Sequence, residues 1–351
     1  MPYSSLRPLV AIAGPTGSGK SELGLYLAEK FGGEIVNCDS LQVYRYFDIG
    51  TAKVPPEHRR GIPHHLIDIL DPAETFTAGE YARRARAVIN EIAARGRLPL
   101  VVGGTGFYLR ALVDGLFPGP TRDDDLRKRL AERERRRPGL VHRLLRRLDP
   151  ASAARIHPAD LHKLVRALEV CLLTGRPLSE WFSEGRQPLE GFRVLKIALN
   201  PPRQELYRRL DERCARMFEQ GLIEEVRRIL AMGYPETIKP LEAHGYRQAL
   251  QVLRGELDIK KALYYARRNT RRYAKRQWTW FRREPGVVWL DGFGDQPETR
   301  DAAVQLVSRF LSEQQCDPRP TSASPALKPG NLSAPRPSSN RGSLPAPRDQ
   351  K

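Results

Sequence analysis

Residues 14–21 read Gly14-Pro15-Thr16-Gly17-Ser18-Gly19-Lys20-Ser21, and this octet decides the fold. It fits the pattern GxxxxGK[ST]. Ahead of it, Leu9-Val10-Ala11-Ile12-Ala13 is a continuous apolar run, as in a parallel strand buried on both faces. Behind it, Leu23, Leu27, Ala28 and Phe31 recur at helical spacing until Gly32-Gly33 ends the helix. Strand, glycine loop and helix form the context in which the pattern means an anion cradle. The glycines let backbone N–H groups converge, and the helix start adds roughly half a positive charge. Lys20 neutralises terminal phosphate oxygens, and the Ser21 hydroxyl can take one position on Mg²⁺. The octet calls for a di- or triphosphate without naming its carrier; ATP is the commonest choice.

Outward from the octet, Glu34-Ile35-Val36-Asn37-Cys38 reads as a second strand ending at Asp39-Ser40. Thr77 to Arg95 is an amphipathic helix on Tyr81, Ala85, Val88 and Ile92. Leu98 to Val102 is a third buried strand, followed by Gly103-Gly104-Thr105-Gly106 and a helix through Leu112. Asp39 then sits at the same strand edge as the loop. A carboxylate there can bind Mg²⁺ through water or take a proton from an acceptor, or it can cap a turn with Ser40. The Gly103–Gly106 string either permits close helix packing or lets a substrate approach the backbone.

After Phe117-Pro118-Gly119-Pro120 the texture changes. Arg122 to Leu148 is rich in helix formers and arginine, with a turn at Pro138-Gly139, and Ala151 to Thr174 is again helical. Strand character returns at Arg193 to Leu199. Glu205 to Met232 and Lys260 to Phe281 read as long helices, and Gly286 to Leu290 as a late strand. From about Gln314 the chain is rich in Pro, Ser and Arg, too poor in apolar surface to offset ordering entropy. The fold class is α/β: a P-loop NTPase-like parallel sheet with helices on both faces, an inserted all-helical domain and a disordered C-terminal tail. The boundaries are 1–121 and 191–313 for the sheet domain, 122–190 for the insertion and 314–351 for the tail.

Among the 351 residues, 59 Lys and Arg face 41 Asp and Glu, a net charge of +18. That excess favours a polyanionic partner, nucleic acid first, over a small anion; solvated basic faces are the plain alternative. No run of about 18 apolar residues predicts a membrane helix. Met1 to Pro8 is too short for a signal or transit peptide. Cys38, Cys171, Cys214 and Cys316 form no CxxC pair, and the histidines lack metal spacing. These features point away from disulfides and structural zinc and toward the cytoplasm.

Taken together, the strings resemble the tRNA dimethylallyltransferases, also called tRNA isopentenyltransferases, of bacterial type, up to about residue 313. The resemblance rests on the loop, Asp39-Ser40-Leu41-Gln42 with Tyr44, and Asp48-Ile49-Gly50-Thr51-Ala52-Lys53. It continues in Pro63 to Asp68, Gly103 to Tyr108, Arg166-Ala167-Leu168-Glu169, Gly245-Tyr246-Arg247-Gln248 and Ala274 to Phe281. It implies transfer of a dimethylallyl group from dimethylallyl diphosphate to N6 of adenine 37 in tRNA, with diphosphate released. The loop would hold the leaving group with Mg²⁺, and Arg213 would reach the same diphosphate. Asp39 would act as base, with Lys20 and Thr16 beside it. RNA contacts are implied at Asp39, Ser40, Leu41, Gln42 and Thr105, at Lys163, Leu164, Val165, Arg166 and Ala167, and at Gly245, Tyr246, Arg247 and Gln248. Arg127 and other arginines of the insertion would grip the anticodon stem-loop. The chain is expected to act as a monomer. It departs from the family pattern at His162-Lys163, where Gln-Arg is usual, and at Ala243-His244, where a small or aliphatic residue is usual.

Two rival classes fit parts of the sequence. A P-loop kinase for a nucleotide or other small acceptor predicts ATP consumption without a prenyl donor. A non-catalytic RNA-binding module that keeps the loop only for folding predicts no chemistry.

Overall fold

The computed structural model describes residues 6–313. The tail expected from 314 onward, with Cys316, lies outside the described residues.

Six strands form one sheet in the order β3-β2-β4-β1-β5-β6, every neighbouring pair parallel. They are β1 (Arg7–Ala13), β2 (Gly33–Asn37), β3 (His64–His65), β4 (Leu98–Val102), β5 (Phe192–Asn200) and β6 (Val287–Asp291). Alternate residues of each strand serve opposite faces. Val10 and Ile12 of β1 meet Leu23 and Leu27 of α1 (Lys20–Phe31) on one side. Leu9 and Ala11 meet Tyr81, Ile89 and Ile92 of α2 (Ala78–Ala94) and Leu112 of α3 (Gly106–Val113) on the other. Thr77 starts α2, its hydroxyl accepting from Glu80 N at 3.2 Å. Because all six strands run the same way, their carboxyl ends share one edge, where an open α/β sheet binds ligands.

Five helices fill the stretch between α3 and β5. They are α4 (Asp124–Arg136), α5 (Leu140–Leu148), α6 (Pro150–Arg155), α7 (Leu161–Thr174) and α8 (Leu178–Ser183). Asp123, Asp149 and Asp160 cap α4, α6 and α7 through their carboxylates. The helix read across 151–174 is therefore two, parted at Ile156–Asp160. Leu130, Val141, Leu145, Leu164 and Leu168 form the insertion's own core.

The single helix expected over Glu205–Met232 is also two, α9 (Arg203–Glu219) and α10 (Leu222–Ala231). Gly221 between them has φ 97°, which breaks a right-handed helix and suits glycine. A helix not read from the sequence, α11 (Tyr246–Leu253), packs with α10 against Val43, Tyr44 and Phe47 from the loop after β2. The long α12 (Ile259–Phe281) runs back to the sheet edge, and α13 (Pro297–Ser312), also not anticipated, covers the face beside α1.

Candidate active site

The glycine loop leaves β1 at Gly14 and enters α1 at Lys20. Gly14, Gly17 and Gly19 have φ of 129°, 79° and 83°, a conformation that side-chain-bearing residues rarely hold. Lys20 Nζ donates to Pro15 O at 2.7 Å, folding its ammonium over the cradle. Ser18 is fully buried, and its hydroxyl has no hydrogen-bond partner among the described residues. A cavity of about 620 Å³ opens on this loop. Of the residues singled out from sequence, Thr16, Gly17, Gly19, Lys20, Ser21, Asp39, Gln42 and Arg213 line it. Gly14, Pro15 and Ser18 lie buried in the loop behind.

Burial pushes the Lys20 ammonium down to about 7; the Asp39 carboxylate opposes the shift and Arg213 adds to it. Burial also lowers the Arg213 guanidinium from its ordinary value. Arg213 has no hydrogen-bond or ion-pair partner among the described residues. Its neighbour Arg209 differs, held by Asp295 at 2.9 Å. Lys20 and Arg213 thus face one cavity with no ion-pair partner among the described residues, an arrangement open to an anionic ligand.

Asp39 reaches this cavity through a network at the end of β2. Its N–H donates to Asn37 Oδ1 at 3.1 Å, and its Oδ1 accepts from Leu41 N at 2.9 Å. Ser40 N donates to Thr105 Oγ1 at 3.1 Å. The carboxylate thus makes the turn with one oxygen, while Oδ2 has no partner among the described residues. Turn capping and a chemical role are compatible at this residue. Thr105 orients the Asp39 loop from behind.

The glycines after β4 are explained by packing. A Cβ on Gly103 would sit 2.1 Å from Cys38 O, one on Gly104 2.1 Å from Gln277 Nε2, and one on Gly106 2.1 Å from the Trp280 ring. Gln277 is a clamp that the sequence reading did not assign a role. Buried on α12, it accepts Thr16 N at 2.7 Å and donates to Gly104 O at 2.9 Å, joining the phosphate loop to the end of β4. Tyr273, one turn earlier on α12, approaches the Thr105 side chain, and burial together with the Asp39 charge pushes its phenol up. Spacing of three and four residues on α12 puts Tyr273, Ala274 and Gln277 on one face, and this periodicity was the available signal.

Several residues implied as RNA contacts have other occupations. Leu164, Val165 and Ala167 are 1%, 7% and 0% exposed, so their side chains build the insertion's core. Arg127 gives Glu169 a bidentate pair at 2.8 and 2.7 Å, and Arg166 adds a bond at 2.6 Å. Tyr246 is fully buried, its hydroxyl donating to Glu225 Oε1 at 2.6 Å. Gln248 is buried and accepts from Gly245 N at 2.9 Å, capping α11. Glu225 also accepts Ile49 N at 2.9 Å and so fixes the Asp48–Thr51 loop beside the cavity. Lys163 and Arg247 stay exposed, Lys163 beside Asp160. Ser40, Leu41 and Gln42 are half-buried, and Gln42 lines the cavity.

A six-stranded parallel sheet with a phosphate loop and a strand-edge carboxylate defines a phosphate-loop α/β enzyme. The family model for IPP transferases matches residues 42–284. The tRNA dimethylallyltransferase of Solibacter usitatus is 66% identical over 306 residues, 87% of this chain and 100% of that one. The solved tRNA isopentenylpyrophosphate transferase of Bacillus halodurans is 37% identical, with a TM-score of 0.66 over 88% of this chain and 98% of that one. A solved eukaryotic dimethylallyltransferase acting on tRNA has a TM-score of 0.76 at 30% identity, covering 88% and 80%. The chain belongs to the IPP transferase family.

Proposed function

We propose that this chain transfers the dimethylallyl group of dimethylallyl diphosphate to N6 of adenine 37 in tRNA and releases diphosphate. The observation that carries this reading is the convergence of Lys20, Arg213 and Asp39 on one cavity. Cations there hold the diphosphate and stabilise charge as it departs. The bond from the allyl carbon to the diphosphate oxygen breaks with its electron pair leaving on diphosphate, while N6 forms the new C–N bond. The exocyclic amine is a weak nucleophile because its lone pair is delocalised into the ring. Asp39 Oδ2, without a partner, takes the proton that N6 loses.

A divalent metal suits this donor set. No cluster of three or more His, Cys, Asp or Glu able to hold a metal occurs among the described residues. The Ser21 hydroxyl lines this cavity, a hard oxygen donor that Mg²⁺ accepts alongside substrate oxygens and water, and the Asp39 carboxylate stays available as base. When bound, Mg²⁺ would supply charge neutralisation on the diphosphate.

The exposed arginines of α4 and α5, including Arg129, Arg133, Arg146 and Arg147, and the exposed Lys163 and Arg247 are the groups placed to meet RNA phosphates. No described helix is long and apolar enough to cross a membrane. The protein works as a monomer in the cytoplasm, where tRNA is found. Incubation with dimethylallyl diphosphate, Mg²⁺ and unmodified tRNA, then mass analysis of nucleosides, tests the reading. An adenosine gaining one dimethylallyl group supports it; unaltered nucleosides overturn it.

A further inference from the structure

His244, ahead of Gly245 and α11, lines two of the cavities in this molecule. Four cavities follow one another, each sharing lining residues with the next. The phosphate cavity shares Thr16, Arg213 and Met217 with a small inner cavity of about 40 Å³. The inner cavity shares His244 with an outer one of about 290 Å³. The outer cavity shares Arg272 and Arg276 with a cationic cleft of about 510 Å³ that also holds Lys275 and Trp280. His244 therefore lines both the inner and the outer cavity, between the phosphate loop and the basic surface.

The imidazole ring lies 4.8 Å from the Tyr273 ring, tilted by 45°. Tyr273 in turn lies beside Thr105 and the Asp39 charge. No protein group among the described residues hydrogen-bonds the His244 ring. Burial, with Arg276 and Arg213 nearby, pushes His244 down to about 4, so the ring is neutral at working pH. A neutral aromatic ring amid cations, on the wall of both the inner and the outer cavity, suits a flat uncharged heterocycle attached to a polyanion.

We infer that His244, paired with Tyr273, is the stacking platform for the purine of the RNA substrate as it passes from the basic cleft toward Asp39. This rests on the functional reading above and adds a base-recognising residue to it. Stacking of a base on an aromatic ring is worth on the order of tenfold in affinity.

The test uses the full chain, dimethylallyl diphosphate, Mg²⁺ and an unmodified anticodon stem-loop RNA, with a second RNA abasic at the target position. Wild type should bind the adenine-bearing RNA about tenfold more tightly than the abasic one. His244→Ala should erase most of that preference and raise KM for RNA, leaving KM for the prenyl donor unchanged. His244→Phe should restore the preference, which a merely structural loss would not allow. Thermal melting confirms that each variant folds. A His244→Ala protein that discriminates as wild type does, or that shifts KM for the donor alone, overturns the inference. So does a folded His244→Phe protein as impaired as His244→Ala. Absence of prenyl transfer by wild type overturns the functional reading, and this inference with it.

Discussion

At the phosphate cavity, Arg213 has no carboxylate partner among the described residues and Lys20 rests on a backbone carbonyl, whereas in the helical insertion Arg127 and Arg166 close on a fully buried Glu169. Both regions bring arginines near acids, with opposite results. Charges in the cavity are left for a ligand, so their removal should cost chemistry and leave the fold. Charges in the insertion satisfy one another, so their removal should cost stability and leave the chemistry. The difference follows from packing: α7 lays Glu169 into a core of Leu130, Leu145 and Leu168, where an unpaired carboxylate cannot stay.

The contrast breaks first at Asp39. Asp39→Asn keeps an oxygen for Leu41 N but loses the base. Transfer should fall by about 10²–10⁴-fold in single-turnover assays while RNA binding persists. Unaltered transfer would remove Asp39 from the chemistry.

Next comes Glu169→Gln, expected to cost on the order of 3 kcal/mol in denaturant unfolding, with transfer per folded molecule nearly unchanged. Burial pushes the Glu169 carboxyl up, but bonds from Arg127 and Arg166 outweigh it and hold it at about 2. Its contribution is complete above the unfolded glutamate value of about 4.3 and is lost as pH falls toward 2. Acid titration of wild type against the variant reads this directly.

A smaller effect sharpens the cavity side. With Lys20 at about 7 when no anion is bound, donor binding above that pH requires proton uptake. Affinity for dimethylallyl diphosphate should lose up to about tenfold per pH unit above 7 through this group. Lys20→Ala should bind weakly without that component of the slope, and calorimetry in two buffers of different ionisation heat measures the proton uptake. Smallest is Gly104→Ala, whose Cβ would displace the Gln277 amide. Loss of one clamp bond should cost about 1–2 kcal/mol, read as a lower melting temperature.

How much was legible in the sequence depends on how local each signal is. β1, the loop and α1 are contiguous, and their apolar period and glycines stand within one window, so Lys20, Ser21 and the strand edge at Asp39 could be placed. The Gln277 clamp joins residues 261 positions apart, which no window contains. Lys163–Ala167 lies on α7, and a helix shows solvent only one face. Leu164 and Leu168 at i and i+4 already mark the buried side. Gly221 gave a break signal inside an otherwise unbroken helical pattern, and its positive φ decided the matter.

The central claim is that the glycine loop serves a departing diphosphate and not a phosphoryl donor. The most direct measurement follows diphosphate, ADP and modified adenosine together, with enzyme, tRNA, dimethylallyl diphosphate and ATP in one reaction. One diphosphate should be released per dimethylallyl adenosine, added diphosphate should compete with the prenyl donor, and no ADP should form. ADP formed in step with product, or without any prenyl transfer, would contradict the claim.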